Sequence, residues 1–182
     1  MSTFDGSRSS QVATAIDDPN GKNALYQRFF QRLIDDLREN HNFTNAHAGG
    51  PRNWQSFGSG TSGFTYAVAF PAGGRVRAEI YIDLGERVQN VAAFEALRAE
   101  ESALKQEFRA LRLRSAIQCS TSVDGETLEW ELLEGRRACR IAVYRSGTIE
   151  DSTRDLEEYH QWAVDCLLRL KAVFGPRLPS SH

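Results

Sequence analysis

The chain has 182 residues, of which 41% are hydrophobic, and this is enough for one domain with a sizeable core. A net charge of -2 and a pI near 6.1 exclude a global attraction to nucleic acid or to anionic membranes, so such binding would need a local patch. The three cysteines (Cys119, Cys139 and Cys166) are too far apart for a zinc motif and indicate reduced thiols. Without a long uncharged apolar run or a secretory signal, the sequence predicts a soluble cytoplasmic protein with no membrane partner.

The N-terminal part of the chain predicts a tail followed by a helix. Residues 1–21 are rich in Ser, Asp and Gly, which predicts a flexible tail, and residues 22–178 are predicted to form one domain with a short tail at 179–182. From Asn23, apolar residues recur at helical spacing. A segment dense in Gly, Asn and Ser follows and is predicted to contain a short strand at Trp54–Phe57.

The rest of the chain alternates between strand and helix patterns. "FTYAVAF" and "RVRAEIYID" have period two and predict a hairpin joined by "PAGG". One long helix is predicted next, with an apolar stripe from Val88 to Leu111. "LEWELL" and "RRACRIAVYR" predict two more strands, and a final helix is expected to be capped by Ser152 and to end before Pro176.

This order of elements predicts an α+β fold. Clean alternation gives the sheet one buried face and one polar face, which favours antiparallel strands. We therefore predict a two-layer domain, with an antiparallel sheet of about five strands and three helices packed on one face. The predicted order is helix, three strands, helix, two strands, helix.

The polar face of the sheet is the first candidate binding surface. It is predicted to present Arg77, Tyr81, Arg140 and Tyr144, and arginines beside tyrosines on an open sheet can pair phosphates and stack bases. The alternative is that these arginines form solvated cross-strand ion pairs with the acids of the same face.

Two further groups are candidate binding residues. Asn53 and Trp54 lie in the Gly/Ser-rich loop "GGPRNWQSFGSGTSGF", whose backbone amides could cradle an anion, although such glycines also serve tight turns. Arg112 and Arg137 belong to a basic group near the end of the long helix and the start of the last strand. This group predicts either a patch for DNA or an acidic partner, or cations that suit the end of a helix.

Several motifs in order resemble a known family. "FTNA", "NWQSFGSGTSGF", "AEIYID", "LEWELLEGRRACRIAVYR" and "WAVDCLLRLKAVFGPRL" together resemble a bacterial and archaeal domain of unknown function, family 4268, over residues 23–178. The resemblance implies a standalone protein or a domain behind a nuclease-like region, near restriction or defence systems. It implies DNA processing by association and provides no catalytic residues. The chain departs from the family pattern by extra residues at 109–125.

A metal-dependent nuclease is the enzymatic alternative. The element order matches the core of PD-(D/E)XK nucleases, and Glu79 with Asp83 on the same strand face would be the metal-binding acids. Tyr81 occupies the position of their lysine, and the preceding strand has no acid. Histidines and cysteines show no metal-ligand spacing, so no metal and no cofactor are predicted.

These observations favour a non-catalytic binding or interaction module connected with DNA-processing or defence systems. Its expected partner is DNA or another protein. Two alternatives stay open, the divergent nuclease and a structural homodimer that buries the polar sheet face.

Overall fold

A computed structural model describes residues 21–111 and 127–179 of the chain. Four α-helices and five strands lie within these ranges, which confirms the α+β class. Their bounds are α1 Lys22–Glu39, β1 Trp54–Gly58, β2 Phe64–Ala69, β3 Arg75–Ile82, α2 Arg87–Arg98, α3 Glu101–Ala110, β4 Glu129–Glu131, β5 Cys139–Ser146 and α4 Thr153–Phe174, followed by a short 3₁₀ helix Gly175–Arg177.

The strands form a single five-stranded antiparallel sheet, as predicted. The spatial order is β1-β2-β3-β5-β4, so the first three strands form a meander and β5 joins it beside β3. The eight-residue strands β3 and β5 are paired along their whole length, from Arg75 opposite Ser146 to Ile82 opposite Cys139. β4 is an edge strand of three residues, shorter than the predicted "LEWELL" strand.

One face of the sheet packs against the helices. Strand alternation places Tyr66, Ile80 and Ile141 on this inner face, where they join the buried residues of the four helices in a continuous core. α4 contacts β2 and β3 as well as α1 and α3, so it is the central helix of the second layer. Cys139 and Cys166 are both buried in this core.

The predicted long helix is two helices, and this part of the prediction is wrong. α2 ends at Arg98, and Glu100, with φ -103° and ψ 16°, is the non-helical residue before α3. Val88 and Leu111 were expected in the buried stripe, but Val88 is 80% exposed and Leu111 is exposed too. The helix face toward the sheet instead carries the fully buried Asn90, which apolar periodicity does not select.

The final helix begins and ends as predicted. Ser152 Oγ accepts a hydrogen bond from Asp155 N at 3.2 Å, and this side chain satisfies one of the free amides of the first turn. α4 ends at Phe174, where Gly175 and Pro176 enter the 3₁₀ turn.

Some predictions fall on residues outside the described ranges. These are the tail at residues 1–20, most of the extra chain at 109–125 with the candidate Arg112, Cys119, and the end of the chain after residue 179. Among the helices of residues 21–111 and 127–179, none has the length and apolar character needed to cross a bilayer.

Candidate functional site on the outer sheet face

The sheet face opposite the helices, here called the outer face, carries most of the predicted site residues. The strand register places Trp54 beside Ala69, Ala69 beside Arg77, and Arg77 beside Tyr144, all on this face. The following rows contain Glu79 between two alanines, and Tyr81 beside Arg140. In the first of these rows the β2 residue is the small Ala69, with the larger Trp54 and Arg77 on either side of it.

At the centre of the outer face, Glu79 lies between two arginines and is only 5% exposed. Arg77 Nη2 donates to Glu79 Oε1 at 3.2 Å, and Arg77 Nε is 2.8 Å from Oε2 without a well-aligned hydrogen bond. Arg140 Nη1 donates to the same Oε2 at 3.4 Å. Two candidate phosphate-binding arginines therefore already neutralise a carboxylate of the same sheet.

The network continues to the edge strand. Arg140 Nε donates to Glu131 Oε2 at 2.8 Å, and the hydroxyl of Tyr144 donates to the other oxygen of Glu131. Burial, and then this hydrogen bond to Glu131, raise the pKa of Tyr144 to about 12. Tyr144 is therefore protonated at neutral pH and acts as a fixed hydrogen-bond donor.

Asp83 and Arg137 pair with each other. Arg137 Nε and Nη2 donate to the two carboxylate oxygens of Asp83 at 2.8 and 3.0 Å, and Gly85 N donates to Oδ1 at 3.1 Å. The hydrogen bond from Arg137 is the main reason that the pKa of Asp83 lies below its ordinary value. Arg137, which was predicted to bind DNA, and Asp83, a metal-binding acid of the nuclease alternative, therefore form an ion pair with each other.

The two acids of the nuclease alternative each have an arginine partner in this structure. Glu79 is held by Arg77 and Arg140, and Asp83 by Arg137. In the part of the chain that the structure describes, no group of three or more His, Cys, Asp or Glu side chains is placed to hold a metal ion.

Two other arginines make a different kind of contact, and both lie at the same end of the sheet. The guanidinium of Arg75 lies 4.4 Å from the ring centroid of Tyr144, and that of Arg52 lies 5.6 Å from the ring centroid of Trp54. Within residues 21–111 and 127–179, neither guanidinium has a carboxylate within 4 Å. We call Arg52, Trp54, Arg75, Arg77 and Tyr144 the basic–aromatic end of the outer face.

Trp54 is the most open aromatic side chain of this group. It is 45% exposed, although a tryptophan at the start of a strand is commonly a core residue. It is exposed because β1 is an edge strand and its alternation directs position 54 to the outer face. An exposed indole next to an arginine is chemically suited to stack on a flat conjugated ring.

A cleft adjoins the basic–aromatic end and was not predicted from the sequence. It has a volume of about 290 Å³ and is lined by Lys22, Tyr26, Asn53, residues 70–75 and residues 147–149. Asn53 Nδ2 donates to Phe70 O at 3.1 Å, which fixes the start of β1 against the end of β2. Four segments far apart in the chain meet here, so only the Gly73-Gly74-Arg75 turn was a local sequence signal for the cleft.

The fold and this site define an α+β domain with a five-stranded antiparallel sheet and an ion-paired polar face. Residues 25–178 match the family described as "Domain of unknown function (DUF4268)". The chain therefore belongs to this family, as its motifs indicated. Comparisons of this chain with curated proteins and with solved structures found no match.

Proposed function

We propose that this domain is a non-catalytic binding module of DNA-processing or defence systems, and that its ligand is single-stranded nucleic acid. One observation carries the proposal. Arg75 and Arg52 lie over the aromatic rings of Tyr144 and Trp54 at one end of the sheet, without a carboxylate partner among the described residues. Cations for phosphates and an exposed ring for bases are the two features that single-strand binding surfaces combine.

The arginines of the outer face favour a small area of contact with a nucleic acid. Arg77, Arg137 and Arg140 are engaged with acids of the same chain, so few cations are available to replace the counterions of a nucleic acid. Stacking on an aromatic side chain contributes about 1–3 kcal/mol per base and tolerates any base. We therefore expect modest affinity, a preference for single strands over duplexes, and little sequence selectivity.

Fluorescence anisotropy of labelled single-stranded and duplex DNA at low and moderate salt tests this function. Binding of the single strand is expected to weaken with salt by a slope of about -0.7 per phosphate contacted, and two or three contacts are expected. The variants Trp54→Ala and Arg75→Ala should each reduce the affinity at least about fivefold, the loss of roughly 1 kcal/mol of contact. Arg98→Ala is a matched control, since Arg98 is at the end of α2 on the helix layer.

The same titration decides between nucleic acid and a protein partner. Absence of binding to both DNA forms at low salt would reject the nucleic-acid proposal. The domain would then remain a binding module, with another protein as its expected partner.

The nuclease alternative has its own measurement. We expect no nicking of plasmid DNA with Mn²⁺ at high protein concentration, because Glu79 and Asp83 are neutralised by arginines. Nicking by the wild type that disappears in Glu79→Ala would overturn this expectation. Nicking that persists in Glu79→Ala would indicate a contaminant.

The homodimer alternative requires the outer face to be buried between two copies. Light scattering at micromolar concentration measures the mass directly, and a monomer mass of 20.4 kDa is expected. A stable dimer that is broken by Trp54→Ala would favour the alternative.

A further inference from the structure

We infer that the cleft beside the basic–aromatic end binds the terminal phosphate of a single-stranded nucleic acid. This inference rests on the proposed function and deepens it, because it distinguishes a strand end from the interior of a strand. The cleft is the region bounded by Lys22, Asn53, the β2–β3 turn at residues 70–75 and the loop at residues 147–149.

The charge of the lining favours an anion. Among the lining residues, those with ionisable side chains are Lys22, Tyr26 and Arg75, and none carries a carboxylate. A terminal phosphate carries a charge between about -1.5 and -2 near neutral pH, whereas an internal phosphodiester carries a single charge. The two cations, Lys22 and Arg75, therefore favour a terminal phosphate over an internal phosphodiester.

One of these cations has a partner that a ligand can replace. Lys22 Nζ is 2.8 Å from Glu150 Oε2, and both side chains are more than half exposed, at 54% and 60%. Exposed ion pairs of this kind contribute little to stability and rearrange readily. Lys22 can therefore turn from Glu150 to a phosphate at low cost, and removal of the Glu150 charge should make this easier.

The backbone around the cleft is already fixed. Gly147 N donates to Gly74 O at 3.0 Å, which ties the loop after β5 to the β2–β3 turn. Thr148 N donates to Asp151 Oδ2 at 2.8 Å, which holds the same loop to the start of α4. Beside Gly73 there is open space where a side chain would otherwise stand, so a ligand can approach the turn closely.

The cleft adjoins the basic–aromatic end and shares Arg75 with it. Asn53 lines the cleft, and the next residue, Trp54, is on the outer face, while Arg75 belongs to both. A volume of about 290 Å³ is just below the ~300–1,000 Å³ range of ligand pockets, which limits the ligand to about one nucleotide-sized group. A phosphate held by Lys22 and Arg75 would therefore place the neighbouring base within reach of Trp54.

The test compares three labelled oligonucleotides of one sequence: 5′-phosphorylated, 3′-phosphorylated and unphosphorylated. The wild type is expected to bind one phosphorylated form at least about fivefold more tightly, and Lys22→Ala should abolish that difference. Glu150→Gln should increase it about twofold or more, a gain that a damaged fold would not produce. Arg98→Ala is expected to leave the difference unchanged.

A second arm separates a strand end from a free anion. Inorganic phosphate and a nucleoside monophosphate are added as competitors against the phosphorylated oligonucleotide. Competition by the nucleoside monophosphate at a concentration at least tenfold lower than inorganic phosphate is expected, because only the nucleotide also reaches Trp54. Equal competition would assign the cleft to phosphate itself and would overturn the strand-end proposal.

The two proposals fail in different ways. Equal affinity for all three oligonucleotides would overturn the terminal-phosphate site and leave single-strand binding intact. No binding of any of the three at low salt would overturn both.

Discussion

Arg137 donates to both carboxylate oxygens of Asp83, from Nε at 2.8 Å and from Nη2 at 3.0 Å. This two-point geometry is the strong form of an arginine–carboxylate contact. It joins the loop after β3 to the start of β5 across 54 residues of sequence. The sequence patterns suggested DNA binding for Arg137 and metal binding for Asp83, whereas in the structure the two side chains pair with each other.

Replacing Arg137 should raise the pKa of Asp83. The hydrogen bond from Arg137 is the main cause of the lowered pKa, so Arg137→Ala is expected to return it toward its ordinary value. The carboxyl ¹³C chemical shift of Asp83 followed against pH measures this change. Arg136→Ala is the control, because it removes the same charge one residue away, and an equal shift in both variants would contradict the assignment.

The same pair predicts a pH dependence of stability. The pKa of Asp83 is lower in the folded protein than in the unfolded chain, so its contribution is present above the unfolded pKa of about 3.9. It is lost as the pH falls through the folded value. Urea unfolding should therefore show that Arg137→Ala loses less stability than the wild type on acidification below about pH 4.

Glu79 should be important for stability, because its carboxylate neutralises the positive charges of Arg77 and Arg140. Glu79→Gln removes the charge from a side chain that is 5% exposed and leaves Arg77 and Arg140 facing each other. We expect a loss of about 2–3 kcal/mol in the free energy of unfolding, below the full ~3–5 kcal/mol of a deeply buried pair because both arginines retain some exposure. Urea denaturation measures it. Glu129→Gln, on the exposed edge strand, should change stability by less than about 0.5 kcal/mol.

Much of the fold could be predicted because the strands alternate cleanly. The period of two in "FTYAVAF" puts Phe64, Tyr66 and Val68 on one face, and all three are buried in the structure. Arg77 is on the opposite face of the sheet, as predicted. The strand order and the position of β5 beside β3 are set by packing between distant segments, so the pattern left them open.

The features that sequence reasoning missed involve polar groups with structural partners. Apolar periodicity cannot show that Asn90 is buried or that Glu79 is shared by two arginines, since both depend on contacts across the fold. The break between α2 and α3 was missed because apolar residues continue at helical spacing on both sides of it. Lys22 was missed because the cleft joins it to residues more than a hundred positions away.

Asn90 should be intolerant of substitution. Its Oδ1 accepts from Leu84 N at 2.6 Å and its Nδ2 donates to Arg137 O at 2.9 Å, so it connects the end of β3 to the start of β5. Asn90→Ala leaves two backbone groups without partners, and each costs about 1–3 kcal/mol when buried. We expect a loss of about 2–4 kcal/mol in the free energy of unfolding. Val88→Ala, at an exposed position two residues earlier in α2, is the control, and equal losses would reject this role.

Gly147 should also be intolerant of substitution, because there is no space for a side chain beside Tyr159. A Cβ at this position would lie 2.4 Å from the Tyr159 ring, and the residue has φ +153°. Gly147→Ala is therefore expected to destabilise the domain by about 1–3 kcal/mol through overpacking. Gly73→Ala is the comparison, because φ there is +94° but the space is open. Thermal unfolding should show the larger loss for Gly147, and the reverse order would contradict the described contact with Tyr159.

Trp54 should report ligand binding through its own fluorescence. The chain has three tryptophans, and Trp54 is exposed whereas Trp130 and Trp162 are partly buried. Acrylamide is therefore expected to quench Trp54 most strongly, and the Trp54→Phe variant should lose most of the accessible signal. Stacking of a base on the indole should quench and shield it, so a single-stranded oligonucleotide should reduce acrylamide access in the wild type and leave Trp54→Phe unaffected. Equal protection in both proteins would mean that the ligand binds away from the basic–aromatic end, because the remaining tryptophans lie on other elements of the fold.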